Sequence, residues 1–337
     1  MALGDKTATL TSRSVPKGGG TTLTVFRRPL ITFYLPEPPR RSERGEDFRA
    51  PGFGIVSPKE ESMLDALVRD VRARQQLVRE ILEDEEEAVS HPFVGSISQK
   101  ANAKAVSDAI RETLGVPIEA QRKALSPEQL FAQLRAAAER AGVYVLLLGD
   151  LGSPQSDIGE HVFRGFALAD DIAPIVVIND NDAAAGRSFT LVHELAHIFL
   201  GASGISGALR RQSPHAVEQL CNDAAGHFLL PPGALEQVVQ AAQGADAARA
   251  NELSAAVASL WHVSQGVVVY RFVRNGWISD EVASSLFAAF TDRWRKTKER
   301  EKAERDPDAD GPGYYQLRRS MVGARSGESH QALLVVQ

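Results

Sequence analysis

The stretch "RSFTLVHELAHIFLG", residues 187–201, constrains this chain more than any other part of it. It is typical of a buried helix, because apolar side chains fill most positions and no helix breaker interrupts it before Gly201. It nevertheless contains His193, Glu194 and His197 in the pattern H-E-x-x-H. Burying three polar groups without a shared purpose costs roughly 1–3 kcal/mol each. A bound metal ion would remove that cost, so the pattern predicts a helix that carries a metal site.

The spacing of the motif suggests a role for each side chain. Residues four apart lie one turn apart on the same helix face, so His193 and His197 can reach one ion while Glu194 stands beside them. A metal of this kind lowers the pKa of its bound water to about 7 and polarises a carbonyl group. Glu194 would take the proton of that water and pass it to the leaving amine. The motif therefore predicts peptide-bond hydrolysis.

The alternative is a structural role, in which both histidines only form hydrogen bonds inside an ordinary core. The bare pattern arises by chance in on the order of one in a hundred chains of this length, so a second motif is needed to support the metal site.

The next predicted helix, "HAVEQLCNDAAGHFLL", supplies that second motif. A catalytic zinc needs a third protein ligand and an open position for water, and the helix offers His215, Glu218 and Cys221. We favour Glu218, because it follows His197 at a distance that allows a loop and an antiparallel return. Asn222, one turn later, is expected to hydrogen-bond a ligating histidine. Cys221 is more simply a small buried apolar residue. The predicted ion is Zn²⁺, with Mn²⁺ as the alternative.

Two further features bear on catalysis. His227, Tyr270 and Arg271 are candidates for stabilising the oxyanion, although packing or surface roles explain each more simply. The strand-like run "PIVVIND", residues 174–180, is predicted to supply a sheet edge for an extended substrate.

Composition narrows the class of protein. A net charge of −5 argues against nucleic-acid binding as the main function of the chain. The single cysteine excludes an internal disulfide framework and fits a reducing compartment. The N-terminus lacks an apolar signal region, and no window approaches transmembrane length. We therefore expect a cytoplasmic protein that does not enter a membrane.

The paired motifs resemble those of a known family. "SFTLVHELAHIFLG" followed by "VEQLCNDAAGHFLLPPG" is similar to the active-site motifs of the ImmA/IrrE metallopeptidases. "FRGFALADDIAPIVVINDND" resembles the strand pair that precedes that site, and "RRPLITFYLPEPP" resembles the segment that joins the peptidase to an N-terminal helix-turn-helix in longer members. The resemblance extends from about Arg27 to Tyr315. The residues before Arg27 show no helical periodicity, so we do not expect N-terminal DNA binding.

The resemblance implies an α+β fold in which a zincin-like metallopeptidase core, a small sheet plus active-site helices, is flanked by helical segments. His193, His197 and Glu218 carry over as metal ligands and Glu194 as the catalytic residue. The implied substrate is a helix-turn-helix transcriptional repressor, whose cleavage would switch on stress-response or mobile-element genes.

Combined with the sequence patterns, this predicts five regions. They are a flexible N-terminal arm at 1–55, a helical region at 56–125, the zincin-like core at 126–245, a helical, helix-turn-helix-like region at 246–305 and a loose tail at 306–337.

The fourth region and the overall function each leave an alternative open. In "ELSAAVASLWHVSQGVVVYRFVRNG", Ser264, Gln265 and Arg271 would meet DNA if the helix-turn-helix were functional. We favour a structural hairpin, because its second helix has few basic residues. The main functional hypothesis is a zinc-dependent endopeptidase, and the alternative is a transcription regulator that binds or senses a partner through the same core without cleaving it. The intact Glu194 favours cleavage.

Overall fold

A computed structural model describes residues 57–202 and 214–304, which contain one three-stranded sheet and ten α-helices. The strands are β1 (Tyr144–Leu147), β2 (Gly165–Leu168) and β3 (Ile175–Ile178). The helices are α1 (Pro58–Asp84), α2 (Ala103–Leu114), α3 (Ile118–Arg122), α4 (Pro127–Arg140), α5 (Ala184–Phe199), α6 (Pro214–Leu229), α7 (Val239–Ala242), α8 (Ala247–Trp261), α9 (Gln265–Arg274) and α10 (Asp280–Glu304). This mixed architecture confirms the α+β prediction.

The sheet has the strand order β1-β3-β2, and this corrects one expectation. The connection from β2 to β3 is short, so the two strands pair antiparallel, whereas β1 reaches β3 by a longer connection and pairs parallel to it. β3 is therefore the central strand. The prediction that "PIVVIND" supplies a sheet edge is wrong, because both sides of β3 are occupied. Within the described residues, β1 and β2 are the edges.

Alternating strand residues enter two separate apolar cores. The larger core lies on the face covered by α4, α5 and α6, and the smaller one lies beneath α1. The larger core receives Val145, Ala167, Val176 and Ile178, and the smaller one receives Leu146, Phe166, Ile175 and Val177. All four residues of β3 are buried. The sheet therefore holds α5 on one face and α1 on the other.

Local capping sets where the helices begin. Ser57 and Glu60 form the reciprocal capping box of α1, so the helix starts at Pro58. Helix α2 begins at Ala103, because the side chain of Asn102 accepts a hydrogen bond from Ala105 N and caps it there. The metal-motif helix, predicted over 187–201, spans Ala184–Phe199.

Helices α8 and α9 form the hairpin predicted from "ELSAAVASLWHVSQGVVVYRFVRNG". Ser264 caps α9 by accepting from Val267 N, and Gln265 donates to Asn251 O at 3.3 Å. The side chain of Arg271 is 8% exposed. The three residues that a DNA-reading interpretation would use are thus a cap, an internal hydrogen-bonding group and a buried side chain. A structural hairpin accounts for all three.

The arm at 1–55, the segment "RRPLITFYLPEPP", the loop at 203–213 and the tail at 306–337 lie outside the described residues. The division into five regions stays a prediction. Over the described ranges, no single helix is long and apolar enough to cross a membrane, and α8 and α9 meet such a test only as a pair bent by 118°.

Candidate metal centre

Helix α5 is buried along most of its length, and its two ends are held by neighbouring segments. At its N-terminus, Ala183 N donates to the carboxylate of Asp182. At its C-terminus, Gly95 N and Ile97 N donate to the carbonyl oxygens of Ile198 and Phe199, each at 3.0 Å. The bond from Ile97 satisfies the carbonyl group of Phe199 at the helix end, and the bond from Gly95 adds a second tie to the same segment. The helix is therefore a rigid support for the polar side chains it carries.

Helices α5 and α6 bring three of the predicted site residues together. The Nε2 atoms of His193 and His197 lie 3.2 Å apart. Glu218 reaches both rings, with Oε2 at 3.2 Å from His193 Nε2 and Oε1 at 3.3 Å from His197 Nε2. All three residues are at most 5% exposed. We call this group the His–His–Glu cluster.

The cluster fits a metal ion of the predicted kind. Zinc bonds to imidazole nitrogen and carboxylate oxygen are about 2.0–2.2 Å long, so a tetrahedral ion separates neighbouring ligand atoms by roughly 3.3–3.5 Å. The two Nε2 atoms, and each Nε2 atom with its nearer Glu218 oxygen, already lie close to that separation. Within the ranges that the structure describes, no other group of three or more histidine, cysteine or acidic side chains is close enough to share an ion.

The electrostatics of Glu218 also suit a ligand. Burial by itself raises the pKa of this carboxyl group, but hydrogen bonds and charge from His193 and His197 outweigh burial and lower the pKa to about 2. Glu218 is therefore a carboxylate at neutral pH, which is the form that binds a cation.

Of the other two candidates for the third ligand, the structure describes the side chain of Cys221 only. Cys221 is fully buried and is not part of the cluster. Burial raises the pKa of its thiol, so the thiolate that would bind a metal is disfavoured. The side chain of His215 lies outside the described part of the chain.

Glu194 follows the first ligand directly on α5 and is 5% exposed. Its Cγ lies 3.3 Å from the point that a Cβ atom would occupy on Gly165, the first residue of β2. The stem of Glu194 therefore runs against the edge strand, beside the cluster. Its role as general base stays a prediction.

The expected hydrogen bond from Asn222 to a ligating histidine is absent, and that prediction is wrong. Both histidines direct Nε2 at the cluster, and the Nδ1 atom of each is buried without a hydrogen-bond partner. Asn222 is 2% exposed, and its Oδ1 likewise has no partner.

The candidates for oxyanion stabilisation make their contacts elsewhere. The hydroxyl group of Tyr270 donates to Asp223 Oδ1 at 2.7 Å, and Arg274 donates to both oxygens of the same carboxylate. Burial and Asp223 together raise the pKa of Tyr270. Arg271 packs beside Gly226, and burial together with Arg271 lowers the pKa of His227. The structure therefore links these residues to one another across α6 and α9 and does not join them to the cluster.

Two features were not predicted from the sequence. The bridge from Asp223 to Arg274 and Tyr270 depends on how α9 docks on α6, which no local pattern encodes. Gly165 contacts the metal-motif helix, but in the sequence it is simply a glycine next to a strand. No sequence signal distinguishes it from a turn residue.

Comparison with known proteins agrees with the geometry. A family model described as Peptidase_M78, IrrE N-terminal-like domain, matches residues 138–273. A search of curated proteins found no match. The matched range contains all three strands, the His–His–Glu cluster and the α8–α9 hairpin. Residues 138–273 are thus similar to the IrrE N-terminal-like peptidase domain, and this match supports an ImmA/IrrE family metallopeptidase.

Proposed function

We propose that this chain is a zinc-dependent endopeptidase that cleaves a helix-turn-helix transcriptional repressor in the cytoplasm. The His–His–Glu cluster beside Glu194 is the observation that carries the proposal. Three protein ligands leave a fourth zinc position for water or substrate, whereas a purely structural zinc is closed by four protein ligands. Glu194 is not a ligand, and a carboxylate in that position serves a site in which a proton is transferred.

Each residue of the site has a separate role in the proposed reaction. His193 Nε2, His197 Nε2 and a Glu218 oxygen would hold the ion. Bound zinc supplies an acidified water and polarises the scissile carbonyl. Glu194 would accept a proton from the attacking water and deliver it to the leaving amine. The burial of α5 shields the carboxylates from bulk water, which strengthens their electrostatic interactions.

Strand β2 is the proposed docking edge for the substrate. Among the described strands it pairs with β3 on one side only, and it lies directly against α5 at Gly165. An extended segment that added to this edge would place its backbone next to Glu194. The assignment of a repressor as the substrate is supported by the resemblance of this chain to the ImmA/IrrE family.

The test uses the full chain and purified helix-turn-helix repressors from the same genome, beginning with any that is encoded next to its gene. Wild-type protein loaded with zinc is expected to produce discrete fragments, and a chelator should abolish them. Glu194→Gln should retain zinc and cleave about 10²–10⁴-fold more slowly.

If the wild type produces no metal-dependent fragment, the peptidase function is wrong. A wild type that binds the repressor without cutting it would instead support the non-cleaving regulator. Equal cleavage by wild type and Glu194→Gln would remove Glu194 from the mechanism.

A further inference from the structure

Gly165 lies where the edge strand meets the metal-motif helix. A Cβ atom added to it would stand 2.5 Å from Thr190 Cγ2, 2.8 Å from Val177 O and 3.3 Å from Glu194 Cγ. Ordinary van der Waals contact between such atoms begins at about 3.5 Å. The added atom would meet the helix on one side and the carbonyl of the central strand on the other. No small shift of the strand would relieve both contacts.

Thr190 cannot easily turn away from this contact. It is fully buried, and its Oγ1 donates to Gly186 O at 3.2 Å within the same helix. That bond fixes the rotamer that directs Cγ2 at the strand. Thr190 and Glu194 are four residues apart, so they lie one turn apart on the face of α5 that contacts β2. A displacement of Thr190 would therefore also displace the part of the helix that carries Glu194.

We propose that Gly165 is a positioning residue for Glu194. The absence of a side chain at position 165 lets β2 lie in direct contact with α5, and this contact sets where the Glu194 carboxylate stands. The inference rests on the proposed peptidase function. A general base works within hydrogen-bond reach of its proton, and a displacement of about 1 Å can reduce a rate about 10²-fold.

The experiment compares Gly165→Ala with the double variant Gly165→Ala/Thr190→Ser in the zinc-loaded full chain. The probe is the internally quenched peptide that the wild type cleaves fastest from a random decapeptide library. Gly165→Ala is expected to bind as much zinc as the wild type, to keep KM within about twofold and to lose about tenfold in kcat. Thr190→Ser removes the Cγ2 atom and keeps the hydroxyl group, so the double variant should regain part of that loss.

Two controls separate positioning from general destabilisation. Gly165→Ala/Thr190→Val keeps a methyl group at the contact and should regain nothing. Gly266→Ala on α9 adds a methyl group where the nearest atoms are 3.7 Å away, and it should have the kcat of the wild type. Wild-type kcat per bound zinc in Gly165→Ala would overturn the inference. An equal recovery with Thr190→Val would also overturn it.

If Gly165→Ala does not fold, the double variant carries the test. The contacts with Val177 O and Glu194 Cγ persist in it, so its kcat per bound zinc should stay below that of the wild type, and an equal kcat would overturn the inference. A wild type that cleaves neither peptide nor repressor contradicts the proposed function instead. The inference is then decided by a crystal structure of the Gly165→Ala or double variant, in which Glu194 Cγ should be displaced from its wild-type position. An undisplaced Cγ overturns it.

Discussion

At the scale of single residues, the choice of the third ligand has a direct test. Glu218 contacts both imidazoles, whereas Cys221 is buried outside the cluster. We expect Glu218→Gln and Glu218→Ala to lose zinc affinity on the order of 100-fold or more, because an amide or a methyl group cannot replace an anionic ligand. Zinc content after dialysis against a weak chelator measures this.

Cys221→Ser is the matched control on the same helix, and it should keep the zinc content of the wild type. Loss of zinc from Cys221→Ser together with retention in Glu218→Gln would show that the thiol is the ligand.

The sequence predicts the cluster but not its surroundings. The spacing of His193 and His197 and the position of Glu218 were enough to expect one shared site, because a helical turn places such groups on one face. The role expected for Asn222 was wrong for a physical reason. Whether a side chain one turn away reaches a ring, or turns to a salt bridge, depends on helix rotation and docking, and no local spacing encodes these.

At the scale of elements, α1 is tied to the turn between β2 and β3. Gln75 donates to the carbonyl oxygens of Leu168 and Ala173, and Arg79 donates to Asp170 at 2.7 Å. Asp170 also accepts from the backbone N–H groups of Ile172 and Ala173. One carboxylate therefore closes the turn and anchors the helix that covers the smaller core.

This arrangement makes the contribution of Asp170 dependent on pH. Partial burial raises the pKa of its carboxyl group, but the two backbone bonds and Arg79 outweigh burial and lower it. Because the folded pKa is below the unfolded value, the stabilisation is complete above about pH 4 and is lost as the pH falls through the folded pKa. Asp170→Asn should reduce the free energy of unfolding by about 1–3 kcal/mol at pH 7, and the difference should shrink below pH 4.

Urea unfolding at a series of pH values measures this difference. Asp171→Asn is the control, since Asp171 also contacts Arg79 but is more exposed. It should cost less than Asp170→Asn. A pH-independent difference for Asp170→Asn would contradict the electrostatic explanation.

Sequence reasoning was strong for individual elements and weak for their arrangement. The capping residues Ser57 and Ser126 and the apolar periodicity marked the starts of α1 and α4, because those signals are local. The order of the strands was not predicted, since three short apolar runs can pair in several ways. Their order follows from the short β2–β3 connection and from how α1 and α5 cover the two faces.

At the scale of the whole molecule, the candidate metal site lies beside the larger apolar core. Helices α5 and α6 both bury apolar side chains in the larger core, among them Leu195, Ile198, Ala225 and Phe228. The polar cluster is one part of that interface. We therefore expect the metal-free protein to stay folded, unlike small zinc domains whose folding energy comes from the ion.

Zinc should still raise the stability of the whole fold, because the folded chain presents an assembled binding site and the unfolded chain does not. At free zinc about 1,000 times above Kd, the gain is about 4 kcal/mol, which corresponds to a rise in Tm of roughly 6 °C for a chain of this size. Calorimetry with and without a chelator measures it. Glu218→Gln should show a cooperative transition with a much smaller zinc response, about 1.4 kcal/mol or less at the same free zinc. An equal zinc response in that variant would place the stabilising ion elsewhere, and a chelated wild type without a cooperative transition would show that the core needs the metal.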